Sequence, residues 1–123
     1  MYIVQFDPTS NAADWIDGWQ VLGPDGVPED IYDLGWEVTI RLARLPRGAG
    51  VSDYYGCLSS PQLTGSTSDG TITVNDQDAL EWTFRAERMR GLTAGSYAVG
   101  VIATKDGQTV QILLGNLPVI QGL

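Results

Sequence analysis

The chain has 123 residues, 43% of them hydrophobic and 18% charged, which is typical of one globular domain. It has no histidine and one cysteine, which excludes a Ser-His-Asp triad, a Cys-His dyad, a histidine-based zinc site and an internal disulfide. No apolar run approaches the roughly 20 residues of a membrane-spanning helix, and the first residues lack the pattern of a signal peptide. We therefore expect a protein made in the cytoplasm, without Sec export and without a membrane partner.

The net charge of −8 is concentrated at one end of the chain. Residues 1–40 contain eight of the 15 acidic residues and none of the seven basic ones, so the remaining seven acids and seven bases cancel. An acidic chain repels phosphate groups, so we expect no nucleic-acid partner. The acidic region is a candidate contact for a basic surface on another protein.

The first 20 residues predict an arm and a short helical turn. Residues 1–10 are expected to form an extended arm that can reach away from the domain. A helical turn is predicted within residues 9–19, and there Trp15 and Trp19, four apart, would share one face. Covering the core is the simplest role for both tryptophans. A subunit contact or stacking on a sugar are the alternatives.

Alternation with period two predicts strands in the middle of the chain. "WEVTIRLA" at 36–43 and "LEWTFR" at 80–85 both alternate apolar and polar residues. A weaker strand is expected around "DYYGCL" at 53–58, and a short one at "TITV". The residues predicted to face inward are Trp36, Val38, Ile40, Leu42, Leu80, Trp82 and Phe84.

Two long strands are predicted at the end of the chain, joined by an Asp-Gly hairpin turn in "KDGQ". The first should turn Tyr97, Val99, Val101 and Ala103 inward, and the second should place Val110, Ile112 and Leu114 on one face. Pro118 has no N–H to donate, which predicts a sheet edge near residues 117–120. Edges there and near residues 1–6 can pair across subunits, so Leu117 and Val119 are interface candidates.

The segment "RAERMR" at 85–90 predicts a single helical turn that carries a basic cluster. Arg85, Arg88 and Arg90 are interface candidates because guanidinium groups bind carboxylates well. A solvated corner of the domain is the simplest interpretation. A contact with the acidic first third of a neighbouring copy is the alternative.

No metal, cofactor or catalytic residue is predicted. Asn75, Asp76, Asp78 and Glu81 resemble a loose calcium loop, but the spacing lacks the regular positions of an EF-hand and turn chemistry explains them. No pair of carboxylates stands out for glycoside cleavage, and Cys57 has no base to activate it. We therefore expect no enzymatic activity.

The strand spacing predicts the fold class. About seven or eight strands at intervals of about a dozen residues are typical of an all-β antiparallel β-sandwich. We expect one domain over residues 1–123. Tyr97, just after Gly95 at the start of a strand, is a candidate tyrosine corner, with its hydroxyl bonded to nearby backbone.

Three segments, at 25–44, 69–109 and 112–122, resemble a known family. The shared features are a corner at Asp33, Leu34 and Gly35, a second corner at Leu92, Gly95 and Tyr97, and a closing phrase at Leu113, Gly115, Leu117 and Val119. The chain resembles small tailed-phage virion proteins with an immunoglobulin-like sandwich, typified by the N-terminal domain of baseplate upper proteins. The first corner reads "DLG" here, where the family has "DLTG".

The resemblance implies a structural role in a virion, as an adaptor in the tail tip or baseplate. Its implied partners are other virion proteins and further copies of itself. A capsid decoration or head fibre protein is one alternative. A carbohydrate-binding module that uses Trp15 and Trp19 is another.

Overall fold

The computed structural model describes residues 2–20 and 31–122, and within them nine strands and three short helices. The segment "GPDGVP" at residues 23–28, rich in glycine and proline, predicts a turn. It lies outside the described residues, as do the acidic residues between 21 and 30. The strands form two sheets that pack face to face, with the main hydrophobic core between them. The protein is therefore an all-β sandwich, as predicted. No helix in the described part of the chain is long and apolar enough to cross a membrane.

The larger sheet contains six strands and the smaller sheet three. The larger sheet consists of β1 (Tyr2–Gln5), β2 (Thr9–Ser10), β4 (Glu37–Arg44), β5 (Leu63–Ser66), β8 (Gly95–Lys105) and β9 (Gln108–Ile120). The smaller sheet consists of β3 (Trp15–Gln20), β6 (Ile72–Val74) and β7 (Ala79–Phe84). The helices are α1 (Ile31–Leu34), α2 (Tyr54–Leu58), which follows a 3₁₀ turn at Val51–Asp53, and α3 (Ala86–Met89).

The strand order is that of an immunoglobulin-like sandwich. The smaller sheet runs β3-β7-β6, which corresponds to strands B, E and D, and the larger sheet contains β9-β8-β4-β5, which corresponds to G, F, C and C′. Two details differ from the prediction. There are nine strands, and the pairing is not antiparallel throughout, because β1 and β2 both run parallel to β9.

Residues 2–10 do not form an arm that reaches away from the domain. Tyr2–Gln5 pairs with residues 113–116 of β9, and Thr9–Ser10 pairs with Val119 and Ile120. The predicted edge at residues 117–120 is therefore covered by the start of the same chain.

Pro118 lies in the gap between β1 and β2. The carbonyls of Asn116 and Ile120 accept hydrogen bonds from the N–H groups of Phe6 (2.9 Å) and Asn11 (3.1 Å). Alternate residues of a strand direct their backbone groups to the same side, so position 118 faces this gap, where a missing N–H costs no hydrogen bond.

The predicted inward rows of β4, β7 and β8 are buried, with Trp36 only half-buried at the entry to β4. At the centre, the Trp15 ring stacks on Phe84 with centroids 6.0 Å apart, and Trp82 meets Phe6 and Trp15 edge to face. The predicted helical turn at residues 9–19 is wrong. Trp15 and Trp19 lie on β3, and they share a face there because a spacing of four is also even.

A β-bulge changes which face of the sheet the side chains of β9 lie on. Val101 pairs with Leu113 and Ile102 with Gln111, so Ile112 is an extra residue in β9. Ile112 and Leu113 therefore both enter the main core, and Leu114 lies on the opposite face. The predicted row of Val110, Ile112 and Leu114 is thus broken after Ile112.

The segment "DYYGCL" is not a strand, because residues 54–58 form α2. Tyr54 and Leu58 stand four apart and form one helix face, which packs on the outer side of the larger sheet. There they bury Ala43 and Ala98, which strand alternation had assigned to the exposed side. The sheet is therefore covered on part of both faces.

Three local predictions are confirmed. The Tyr97 hydroxyl donates to the carbonyl of Thr93 at 2.8 Å, which is a tyrosine corner. Asp106 and Gly107 have φ of 51° and 80° between paired Lys105 and Gln108, as a type I′ turn requires. The "RAERMR" segment forms α3.

Candidate interaction surfaces

The first surface surrounds α3 and contains two of the predicted arginines. The α3 surface is a depression of about 340 Å³ lined by Asp69, Gly70, Thr71, Thr83, Arg85 and Arg88. The helix is held from both sides: Met89 is fully buried beneath it, and the Asp14 carboxylate accepts a hydrogen bond from the N–H of Ala86 at 2.7 Å. Arg90 is exposed and is not part of this lining.

Arg88 is engaged within the chain. Its Nη2 donates to the carbonyl of Thr64 at 2.6 Å, and its guanidinium carbon lies 5.1 Å from the centroid of the Phe84 ring. These contacts join α3 to the edge strand β5 of the other sheet. Arg88, one of the three arginines named as interface candidates, therefore has an internal structural role.

Asp69 places a negative charge beside these arginines. Its Oδ1 accepts hydrogen bonds from the N–H groups of Thr71 (2.8 Å) and Ser66 (3.1 Å). Partial burial raises the pKa of Asp69, but the hydrogen bonds with Thr71 and Ser66 and the charge of Arg88 outweigh it, so the pKa is lowered overall. The α3 surface is thus partly neutralised within the chain.

The lowered pKa predicts how stability responds to acid. A carboxyl whose pKa is lower in the folded protein stabilises it above the unfolded pKa of about 3.9, and this contribution is lost as the pH falls through the folded value. We expect Asp69→Asn to lose less stability than wild type when the pH falls below about 4. Hydrogen bonds with Ser68 and its neighbours also lower the pKa of Glu37. Glu37 is present in both proteins, so its contribution cancels when their stabilities are compared.

Urea unfolding followed by circular dichroism across this acidic range measures the effect. Asp7→Asn is the matched control, because Asp7 is an exposed carboxylate on the segment between β1 and β2. Parallel stability curves for wild type and Asp69→Asn would contradict the assignment.

The second surface lies beside α2 on the outer face of the larger sheet. The α2 depression has a volume of about 200 Å³ and is lined by Arg41, Tyr55, Leu58, Ser59, Gly100, Ile102 and Gln111. Gly100 lies at the bottom of the α2 depression and packs closely against α2. A Cβ at this position would lie 2.8 Å from Leu58 Cδ1, so glycine lets α2 approach β8. Tyr55 is 52% exposed at the side of the depression.

Gln111 connects the depression to the β-bulge. Its Nε2 donates to the carbonyls of Val101 (3.2 Å) and Leu113 (2.7 Å), which pair with each other next to the irregular register. Both side-chain donors of Gln111 are therefore used within the sheet. The hydrogen bonds hold one wall of the depression in a fixed position.

Most of the other predicted interface residues lie inside the protein. Trp15, Leu117 and Val119 are at most 4% exposed, and Trp19 is half-buried, with its ring centroid 5.1 Å from that of Tyr2. Trp15 therefore has no exposed face on which a sugar or a partner can stack. Of the seven candidates, the arginines alone are exposed.

Sequence reasoning missed the role of Arg41 and Tyr55. Arg41 was assigned to the outer side of its strand, which is right, but nothing in the sequence showed that a helix would stand beside it. The sequence held no decisive signal, because an adjacent pair such as Tyr54 and Tyr55 is divided between a buried and an exposed side in a strand as well as in a helix. Interpreting the segment as a strand hid this arrangement.

Of the residues that resembled a calcium loop, Asn75, Asp76 and Asp78 lie in the turn between β6 and β7, and Glu81 lies on β7. Asn75 Oδ1 accepts hydrogen bonds from the N–H groups of Gln77 (2.9 Å) and Ala79 (3.0 Å), and Asp78 Oδ1 accepts one from Tyr32 (2.9 Å). Across residues 2–20 and 31–122, no group of three or more histidine, cysteine or acidic residues can hold a metal ion. Turn formation accounts for the side chains of Asn75 and Asp78.

Comparison with known proteins identifies no relative: no protein-family model and no curated protein matches the chain. The likeness to phage baseplate proteins therefore depends on the corner and strand residues alone. The structure adds the geometry of one of those corners, at Tyr97.

Proposed function

We propose that this protein is a structural component of a tailed bacteriophage particle, an adaptor in the tail tip or baseplate. The observation that carries the proposal is the outer face of the larger sheet, where the α2 depression combines Arg41, Tyr55 and apolar Leu58 in one concave surface. Arginine and tyrosine are the residue types most often found at the energetic centres of protein interfaces. Such a surface suits a protein that acts by contact.

The proposed mechanism is assembly, with no enzymatic step, no nucleic acid and no membrane. The α2 depression and the α3 surface would contact other virion proteins or further copies of this chain. Ile3 on β1 and Ile120 at the end of β9 are 59% and 55% exposed, so apolar area is also available near the outermost strand of the larger sheet. Burial of such side chains favours association.

The structure supports the two alternative functions to different degrees. A capsid decoration or head fibre protein would use the same fold and the same surfaces at another place in the particle. The hypothesis of a carbohydrate-binding module required Trp15 and Trp19 as stacking surfaces for a sugar. Burial of Trp15 removes one of these two surfaces. We therefore retain the adaptor as the proposed function.

Labelling of purified phage particles with gold-tagged antibody against this chain tests the proposal. We expect gold at the tail tip or baseplate in electron micrographs. Gold over the capsid would make the protein a decoration or head fibre protein. Particles without label, in a lysate where immunoblotting detects the free chain, would contradict a virion role.

A further inference from the structure

Arg41 has no partner in the described part of the chain. No hydrogen bond or ion pair engages its side chain among residues 2–20 and 31–122, and every other described residue that lines the α2 depression is uncharged. Arg44 and Arg88 differ from it: each donates to an oxygen of the chain and lies over an aromatic ring. The guanidinium of Arg41 therefore keeps its full capacity to bind an anion.

The other polar groups of the depression are less available. The Ser59 hydroxyl donates to the carbonyl of Gly56 at 2.6 Å, and the Gln111 amide donates to two carbonyls of the sheet. Recognition of a negative charge consequently falls to Arg41, whose planar guanidinium can form two parallel hydrogen bonds with one carboxylate.

The size and the apolar wall limit what else can bind. A volume of about 200 Å³ is below the roughly 300 Å³ at which sites for drug-sized ligands begin. Leu58 and Ile102 provide apolar surface next to the cation. The matching group is therefore small, with a carboxylate beside an aliphatic portion.

We propose that the α2 depression binds an acidic side chain of a partner polypeptide that stands next to an aliphatic one. The carboxylate pairs with Arg41, the aliphatic side chain packs on Leu58 and Ile102, and Tyr55 covers the contact from the side. This inference rests on the proposed function, because it names the partner chemistry of one assembly surface.

The test is a titration of the ¹⁵N-labelled full chain with the capped dipeptide acetyl-Leu-Glu-amide, followed by ¹H–¹⁵N correlation spectra. We expect amide shifts confined to residues 41, 55–59, 100–102 and 111. The uncharged analogue acetyl-Leu-Gln-amide should bind at least about tenfold more weakly, since hydrogen bonds to charged groups are the stronger class.

Variants separate Arg41 from general charge effects. Arg41→Gln should weaken acetyl-Leu-Glu-amide binding about tenfold or more, and Arg41→Lys should restore part of it, because lysine keeps the charge but not the two parallel hydrogen bonds. Arg90→Gln is the matched control, an exposed arginine outside both depressions, and should bind as wild type does.

Equal binding of the two dipeptides, unchanged binding by Arg41→Gln, or no shifts at millimolar peptide would each overturn the proposal. Identical shifts with acetate alone would also overturn it, because the aliphatic portion would then contribute nothing. The titration uses the isolated protein, so its outcome is independent of whether gold labels a virion.

Discussion

Trp82→Ala is expected to lower the free energy of unfolding by about 3–5 kcal/mol, which is a large part of the stability of a domain of this size. Trp82 is fully buried on β7, and its ring meets Phe6 and Trp15 at centroid distances of 6.0 and 5.8 Å. These contacts join the smaller sheet to the segment after β1, so truncation leaves a cavity at the centre of the core.

Trp82→Phe separates the effect of volume from that of the indole N–H. Trp82 Nε1 is buried and has no hydrogen-bond partner in the described part of the chain. Its removal therefore breaks no hydrogen bond and relieves a desolvation cost of about 1–3 kcal/mol, which offsets part of the smaller cavity. We expect Trp82→Phe to lose less than half of what Trp82→Ala loses.

Urea unfolding followed by circular dichroism measures all three proteins, and Trp82→Phe keeps the comparison informative if Trp82→Ala does not fold. Ile16→Ala is the matched control. Ile16 is 59% exposed on β3 of the same sheet, so its replacement should change stability by no more than about 0.5 kcal/mol. Equal losses for Trp82→Phe and Trp82→Ala would contradict the expectation that removal of the unpaired indole N–H offsets part of the cavity.

The sandwich was predictable because its strands alternate. Val38, Ile40 and Leu42 on β4 follow a period of two, and the tight hairpin at Asp106 and Gly107 follows from turn chemistry. Alternation and hairpin turns are determined by neighbouring residues, and for β4, β7, β8 and the turn between β8 and β9 they were identified correctly. The prediction was wrong for β3, expected as a helical turn, and for α2, expected as a strand. The order of the strands in the two sheets is the usual one for an immunoglobulin-like sandwich, so it follows from the predicted fold class.

The α2 depression was not predictable, because two non-local features form it. The bulge at Val101 and Ile102 shifts β9 by one residue, and alternation within β9 alone carries no sign of it. Tertiary packing selects a helix for "YYGCL", although tyrosine is common in strands. Outside the α2 depression, the parallel pairing of the chain start with β9 was also not predictable, because no local pattern specifies it.

Alanine substitutions at two glycines are expected to change the free energy of unfolding in opposite directions. A Cβ at Gly18 on β3 would lie 2.6 Å from the backbone oxygen of Leu80, its neighbour on β7. That carbonyl cannot move without disturbing the pairing of the two strands, so Gly18→Ala should destabilise the protein by about 1–3 kcal/mol. Apart from its chain neighbours and the backbone of its own helix, no heavy atom of the described residues lies within 4 Å of a Cβ at Gly56 on α2.

Gly56→Ala should therefore raise the free energy of unfolding by about 0.5–1 kcal/mol, because alanine is the better helix former and lowers the entropy of the unfolded chain. Urea unfolding of the two variants in parallel measures both signs. Stabilisation by Gly18→Ala would mean that β3 and β7 lie farther apart than the structure places them. Destabilisation by Gly56→Ala would contradict the helical assignment of residues 54–58, and with it the wall of the α2 depression.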